Sequence, residues 1–355
     1  MRYRLMLAGA AALALMGGCR AAEETLAAPA SAWTTIVPGG ETLCANGTPY
    51  QFQVRPADAA RVMIFLNGGG ACWSGDLCDP GGEAGAYTPL AEMDANNAAS
   101  KAGAFDAANP ENPFAGWTQV FVSYCTGDAH LGDRDEVYTT STGKELTIHH
   151  RGKANVQSAL DWVYANYPAP ERVFVGGGSA GAIASPFYAG IVADHYPQAE
   201  IVQFGGGAGG YRAGAVSSLL ETWGTFVHMP DWPELSGFDR ATFTTEDFYR
   251  LTAERHPDMR KSQFNNLDDE VQKKNHTMRR VSDPVRVLLQ ANIDDLSADI
   301  PEFRAYSASG TDHTLLRYDR LYTTSTGGVR AVDWVRDLAE GRDVESVSCA
   351  AEGCD

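Results

Sequence analysis

Apolar positions along the chain fall into two alternating patterns. Unbroken apolar runs lie at 61–67 (Arg-Val-Met-Ile-Phe-Leu-Asn), 119–124 (Gln-Val-Phe-Val-Ser-Tyr), 172–176 (Arg-Val-Phe-Val-Gly) and 200–204 (Glu-Ile-Val-Gln-Phe). A weaker run lies at 262–265, and a last one at 303–307 (Phe-Arg-Ala-Tyr-Ser). Such runs predict strands buried on both faces. Between them, apolar residues recur at helical spacing. Val156, Leu160, Val163 and Tyr164 mark a helix over 152–167, and Val285, Leu288, Leu289 and Leu296 one over 284–298. Val329, Val332, Trp334, Val335 and Leu338 mark one over 328–340, and small residues fill one from Ala180 to His195, stopped by Pro197. Strand–helix–strand alternation predicts an α/β fold: a mostly parallel sheet with helices on both faces. Residues 74–118, rich in Gly, Pro, Asn and Asp, read as a long structured loop. Residues 205–260 break the alternation with two Gly runs and Met229-Pro230-Asp231-Trp232-Pro233, and read as an irregular, cap-like insertion over the strand ends. No repeat or internal linker appears, so 36–355 is expected to be a single domain.

The first 35 residues follow neither pattern. Arg2 and Arg4 precede an apolar run, Leu5 to Met16, that is too short to cross a bilayer as a helix. Gly17-Gly18-Cys19 follows, so 1–18 reads as a lipoprotein-type signal peptide with lipidation on Cys19 and 19–35 as a tether. An exported, cell-envelope protein is expected, touching a membrane only through that lipid. The other six cysteines fit an oxidising compartment. Cys72–Cys78 and Cys349–Cys354 are close enough for local loops, which leaves Cys44 with Cys125. No Cys-x-x-Cys occurs, and no metal site is expected.

Charge narrows the partners. The chain has 355 residues, with 28 basic against 45 acidic, a net of −17. Removing residues 1–18 takes away two arginines and leaves −19. So acidic a chain is not expected to bind nucleic acid, which needs clustered Lys and Arg.

The candidate chemistry centres on Gly177-Gly178-Ser179-Ala180-Gly181, a Gly-x-Ser-x-Gly motif between a predicted strand and a predicted helix. That context is the nucleophile elbow of an α/β-hydrolase-like fold, where small neighbours let strand and helix meet at a sharp turn. No Lys-Ser/Thr follows as in a phosphate loop. An oxyanion hole would draw one amide from Ala180 and a second from Asn67-Gly68-Gly69-Gly70-Ala71, at the end of an earlier strand. The base should be a late His. His256 lies in the irregular stretch, and His276 in the basic run Lys273-Lys274-Asn275-His276, read as a solvated face. His313 follows the last strand, where such a fold delivers its His. The acid falls among Asp268, Asp269 and Glu270, undecided by spacing. Asp128 and His130, past a strand end, are possible pocket residues beside Trp73.

Several unlinked motifs in order resemble the pectin acetylesterase/Notum family. They are Leu66-Asn67-Gly68-Gly69-Gly70 with Cys72-Trp73, Tyr124-Cys125-Thr126-Gly127-Asp128, Gly177–Ala182, and Gly310-Thr311-Asp312-His313 through Asp333-Trp334 to Cys349. The resemblance implies a secreted serine carboxylesterase of α/β-hydrolase type that needs no cofactor. It places the nucleophile on Ser179, the base on His313 and the oxyanion amides on Gly69, Gly70 and Ala180. It resolves the acid to Asp269 through Asp269-Glu270-Val271-Gln272. Asn67 stands where the family often has Glu, and Trp73 falls later than the family's Trp.

The expected reaction is hydrolysis of an ester substrate through an acyl-enzyme, with deacetylation of an O-acetylated polysaccharide as the leading activity. A chain near −19 repels a polyanion unless salt or Ca²⁺ intervenes, so a neutral acetylated sugar is easier to place. Esters of longer acyl groups or polyesters are the alternative, and a catalytically silent surface-binding protein is a third reading. Trp73, Tyr124, Phe187 and Trp223 are expected to crowd the nucleophile and leave a shallow acyl pocket. Sequence fixes no oligomeric state.

Overall fold

A computed structural model describes residues 32–212 and 216–349. The expected signal peptide at 1–18, Cys19, most of the expected tether and Cys354 lie outside the described residues. The longer strands are β1 (Thr34–Ile36), β2 (Phe52–Arg55), β3 (Asp58–Leu66), β4 (Trp117–Val122), β5 (Arg134–Thr139), β6 (Glu145–His150), β7 (Arg172–Gly178), β8 (Glu200–Gly206), β9 (Arg260–Asn266) and β10 (Phe303–Ala308), with a two-residue pair, β11 (Ser325–Thr326) and β12 (Val329–Arg330), near the end. Among the described residues, eight of them form one sheet in the order β1-β2-β4-β3-β7-β8-β9-β10. The pairings from β4 across to β10 are parallel, and those of β1 and β2 are antiparallel. β5 and β6 form a separate antiparallel hairpin. The fold is the mixed α/β, hydrolase-like architecture expected from the alternation.

The helices are α1 (Gly75–Cys78), α2 (Gly152–Asn166), α3 (Ala180–His195), α4 (Val216–Thr222), α5 (Thr245–Arg255), α6 (Glu270–Arg279), α7 (Val285–Asp299), α8 (Arg320–Thr323) and α9 (Ala331–Ala339). Strand periodicity sorts the core into two layers. Val62, Ile64, Leu66, Val120, Val122, Val173 and Val175 point to one face, under α2 and α3. Met63, Phe65, Phe121, Phe174 and Phe204 point to the other, under α9 and the 98–117 segment. One face is thus aliphatic and the other aromatic, and both are closed. That is why these strands carry unbroken apolar runs.

Three expectations are revised. The tether ends early, because residues 34 and 35 already belong to β1. The 205–260 stretch is not wholly irregular: α5 is a regular helix with a Thr244/Asp247 capping box, packed on α3. The basic run at 273–276 is one face of α6, and His276 is buried with its Nε2 donating to the Gly210 carbonyl at 2.8 Å. Cys44–Cys125 and Cys72–Cys78 are bonded as expected. Cys349 is also disulfide-bonded, its expected partner lying outside the described residues.

Candidate active site

The site lies at the carboxyl ends of the central strands. β7 runs into α3 through a turn so tight that only small residues fit. A Cβ on Gly177 would fall on the Gly181 carbonyl, and one on Gly181 on the Leu66 carbonyl. Ser179 sits at the apex with φ +55° and ψ −119°, a conformation that is strained for any L side chain. Its amide donates to the Gly206 carbonyl at 2.8 Å, which ties the strained residue to the end of β8.

β9 delivers the carboxylate. Asp269 is fully buried and caps α6: its Oδ1 accepts from the amides of Val271 and Gln272, both at 2.9 Å. Its Oδ2 accepts from Gln272 Nε2 at 2.9 Å and from His313 Nδ1 at 2.7 Å. The carboxylate oxygens accept at every contact, and the bond to Nδ1 places the His313 proton there. The Nε2 lone pair is then left for chemistry; that atom is buried with no protein partner. The other candidate acid, Asp268, points elsewhere, to Arg286 at 2.6 Å and Lys273 at 3.6 Å.

Ser179 stands between two spaces. On one side is an open cleft of about 420 Å³ shared by Ser179, His313, Gly69, Gly70, Lys101 and Arg317. On the other is a mostly apolar pocket of about 60 Å³ whose walls include Trp73, Ile183, Leu219, Leu220 and Trp223. Gly70 and Ala180 border that pocket beside Ser179. His313 lines the cleft.

Trp73 therefore sits where a pocket residue was expected, and Trp223 joins it, its Nε1 donating to the Cys72 carbonyl at 2.9 Å. Tyr124 and Phe187 are core residues behind the walls. Asp128 and His130 are also buried beneath the wall rather than on it. Asp128 accepts from Thr126 Oγ1 (2.6 Å) and from the amides of His130 (3.0 Å) and Gly152 (2.8 Å). His130 Nε2 donates to the Asn67 carbonyl at 2.7 Å. Burial pushes the His130 pKa down to about 4, so the ring is neutral. Together they hold Ala129, at φ +52°, against the pocket.

Sequence reading missed Tyr211, whose phenol faces Ser179 and is kept protonated by burial. It follows the Gly205–Gly207 run at the end of β8, much as Gly68–Gly70 follow β3. Among the described residues, no group of three or more His, Cys, Asp or Glu side chains is placed to hold a metal ion.

The pectinacetylesterase family model matches residues 29–224, more than half of the chain. The chain belongs to the pectinacetylesterase family. Membership implies a carboxylic ester hydrolase acting on an ester substrate. The matched segment carries the Gly68–Gly70 loop and the Ser179 elbow and ends before Asp269 and His313. No curated protein matches the chain.

Proposed function

We propose that this family member hydrolyses acetyl esters of a polysaccharide through an acyl-enzyme on Ser179, with His313 as general base and Asp269 as its orienting acid. The observation that carries the reading is the strained serine at the strand–helix turn, sharing a cleft with a histidine already bonded to a buried carboxylate. In the first step His313 Nε2 takes the Ser179 proton as Oγ attacks the ester carbonyl. The developing oxyanion is met by the amides of Ala180 and the Gly69–Gly70 loop. His313 then gives its proton to the leaving alkoxide, so the alcohol must lie on the His313 side, in the open cleft. The acyl group is left to the narrow apolar pocket. Water, activated by the same His313, releases the acid. Asp269 holds the imidazole tautomer and stabilises its cation without taking the proton.

An exported, lipid-anchored placement through Cys19 belongs to the same proposal, supported by the sequence of 1–19 and by the disulfides. A second reading, hydrolysis of longer acyl esters, draws on the aliphatic side chains Ile183, Leu219 and Leu220 in the pocket wall. The test of the mechanism is labelling by a fluorophosphonate. Labelling is expected at Ser179 in the wild type and absent in Ser179→Ala, and a wild-type protein that resists the reagent while folded would overturn it.

A further inference from the structure

Tyr211 meets the nucleophile, and the ester chemistry above leaves it unused. It is buried in the wall of the apolar pocket beside Ser179, and its phenol faces the serine hydroxyl. His313 Nε2, by contrast, is buried without a protein partner, so the Ser179–His313 bond is not made at rest. The turn that carries Tyr211 is anchored on two elements. From β9, the Phe264 carbonyl accepts from the Gly207 amide (2.8 Å) and Asn265 Oδ1 from the Gly209 amide (2.9 Å). From α6, Gln272 Oε1 accepts from the Gly210 amide (2.8 Å) and His276 Nε2 donates to the Gly210 carbonyl (2.8 Å). Gln272 and His276 lie one helical turn apart, on one face of α6. The fit leaves no slack: a Cβ on Gly210 would come within 2.6 Å of Gln272 Oε1, and one on Gly209 within 2.6 Å of Leu289 Cδ1. Gln272 also reaches the acid. Its Nε2 donates to Asp269 Oδ2 at 2.9 Å, the same oxygen that accepts from His313 Nδ1 at 2.7 Å. One buried carboxylate oxygen thus holds both groups that flank Ser179, the histidine directly and the tyrosine through Gln272 and the Gly210 amide.

Donor and acceptor roles say what the tyrosine can do. Burial keeps its phenol protonated, so it has a hydrogen to give. Nδ1 of His313 carries the proton shared with Asp269, so Nε2 is an acceptor and the serine proton belongs to it. Oγ then has two lone pairs, one for the ester carbonyl and one for a donor. We infer that Tyr211 positions the nucleophile: its phenol donates to Ser179 Oγ, turns the serine proton towards His313 and stabilises the negative charge that Oγ carries as it attacks and as it leaves. When the acyl-enzyme forms, Oγ gains its bond to the acyl carbon and its proton passes to Nε2. When water releases the acid, that bond breaks and Oγ takes a proton back from Nε2. The phenol keeps its own proton throughout, as an oxyanion-hole donor does. This inference rests on the esterase reading above.

The test is Tyr211→Phe, which keeps the ring in the wall and removes the hydroxyl alone. On p-nitrophenyl acetate kcat is expected to fall about tenfold, with KM close to wild type. The second-order rate of fluorophosphonate labelling at Ser179 should fall by a similar factor, because it draws on the same Oγ. Two readouts should stay put: the acetyl-to-butyryl ratio, since the ring still walls the pocket, and the limb of the pH–kcat/KM profile set by His313. A wild-type kcat and labelling rate in Tyr211→Phe overturn the inference. So does a loss that comes with a displaced pH limb, which would mean that the histidine had been disturbed through Gln272. Should Tyr211→Phe fail to fold, 3-fluorotyrosine introduced at 211 keeps the hydroxyl and decides. Its fluorine resonance should move when Ser179→Ala removes the acceptor, and a resonance that does not move overturns the inference. An enzyme that cleaves p-nitrophenyl acetate and takes the label, but is indifferent to Tyr211→Phe, loses this inference alone. One that does neither loses the esterase reading and this inference with it.

Discussion

At the scale of single residues, two adjacent aspartates illustrate how position sets role. Asp269 is sealed beneath His313, while Asp268, one peptide away, faces Arg286 and solvent. Asp269→Asn should therefore lower kcat by about 10³–10⁴-fold, because an amide presents the wrong partner to Nδ1–H and upsets the tautomer. Asp268→Asn should stay within a few-fold, and steady-state kinetics on an aryl acetate reads both; the reverse ranking would place the acid one residue earlier. Ser179→Ala and His313→Ala should each abolish turnover, with the double variant little worse than either, since such groups act as a unit. A third residue makes a prediction about stability. His150 is buried, its Nδ1 donating to the Thr126 carbonyl (3.0 Å) and its Nε2 accepting from Tyr138 Oη (2.9 Å). Burial first, against weaker pulls from nearby carboxylates, lowers its pKa from 6.5 to about 4. Between those values the unfolded chain binds a proton that the folded one refuses, so stability falls as pH drops. From pH 7 to pH 5 this group alone should cost about 2 kcal/mol. His150→Gln removes it, and the gap between the wild-type and variant denaturation curves at the two pH values is the measurement. Equal pH slopes would contradict it.

Among the elements, the legible ones were those whose pattern is set by two-sided burial. β3, β4, β7 and β8 read directly as apolar runs because helices cover both faces, and α3 was found from end to end. The Ser179 elbow was legible for a related reason, since steric crowding at the turn leaves only Gly and Ala as neighbours. The short antiparallel strands were not: β1 and β2 are too brief to show a period, and their burial depends on what lies across from them. α5 was hidden because its buried side includes Thr245, Glu246 and Thr252 beside Phe248 and Leu251, so the apolar stripe is interrupted. Its start was nonetheless written in Thr244-Thr245-Glu246-Asp247. The Thr244 amide donates to Asp247 Oδ2 at 2.7 Å, and its Oγ1, which alanine lacks, donates to the same oxygen at 3.1 Å. Thr244→Ala should destabilise the protein by about 1 kcal/mol. Chemical denaturation tests this, and an unchanged midpoint would mean α5 is held by its packing on α3 alone. Asp128 and His130 show the opposite failure. Their residue types suggest chemistry, and only three dimensions reveal that every contact turns inward to shape a loop.

For the whole molecule, the decisive asymmetry is between the two spaces beside Ser179. The cleft on the His313 side is open and about 420 Å³, while the apolar pocket is about 60 Å³. Since one water occupies about 30 Å³ of liquid, the smaller space suits a group of few atoms. Trp73 and Trp223 wall it, and both are fixed by structure around them: Cys72–Cys78 pins the loop before and after Trp73, and the Trp223 indole is bonded to the Cys72 carbonyl. Yielding to a long chain would mean moving a disulfide-bound loop or displacing α4 with Leu219 and Leu220. If the pocket did yield, each methylene buried would gain about 0.8 kcal/mol, close to fourfold per carbon. If it does not, added carbons meet tryptophan walls, and the acyl group must leave the pocket to react. We therefore expect kcat/KM for p-nitrophenyl esters to fall from acetyl to butyryl and much further to octanoyl. Aliphatic residues in the wall pull the other way, which makes the series informative. A steady rise to octanoyl would show the wall opening, and the long-acyl reading would then replace the acetyl one while leaving Ser179, His313 and Asp269 in the same roles.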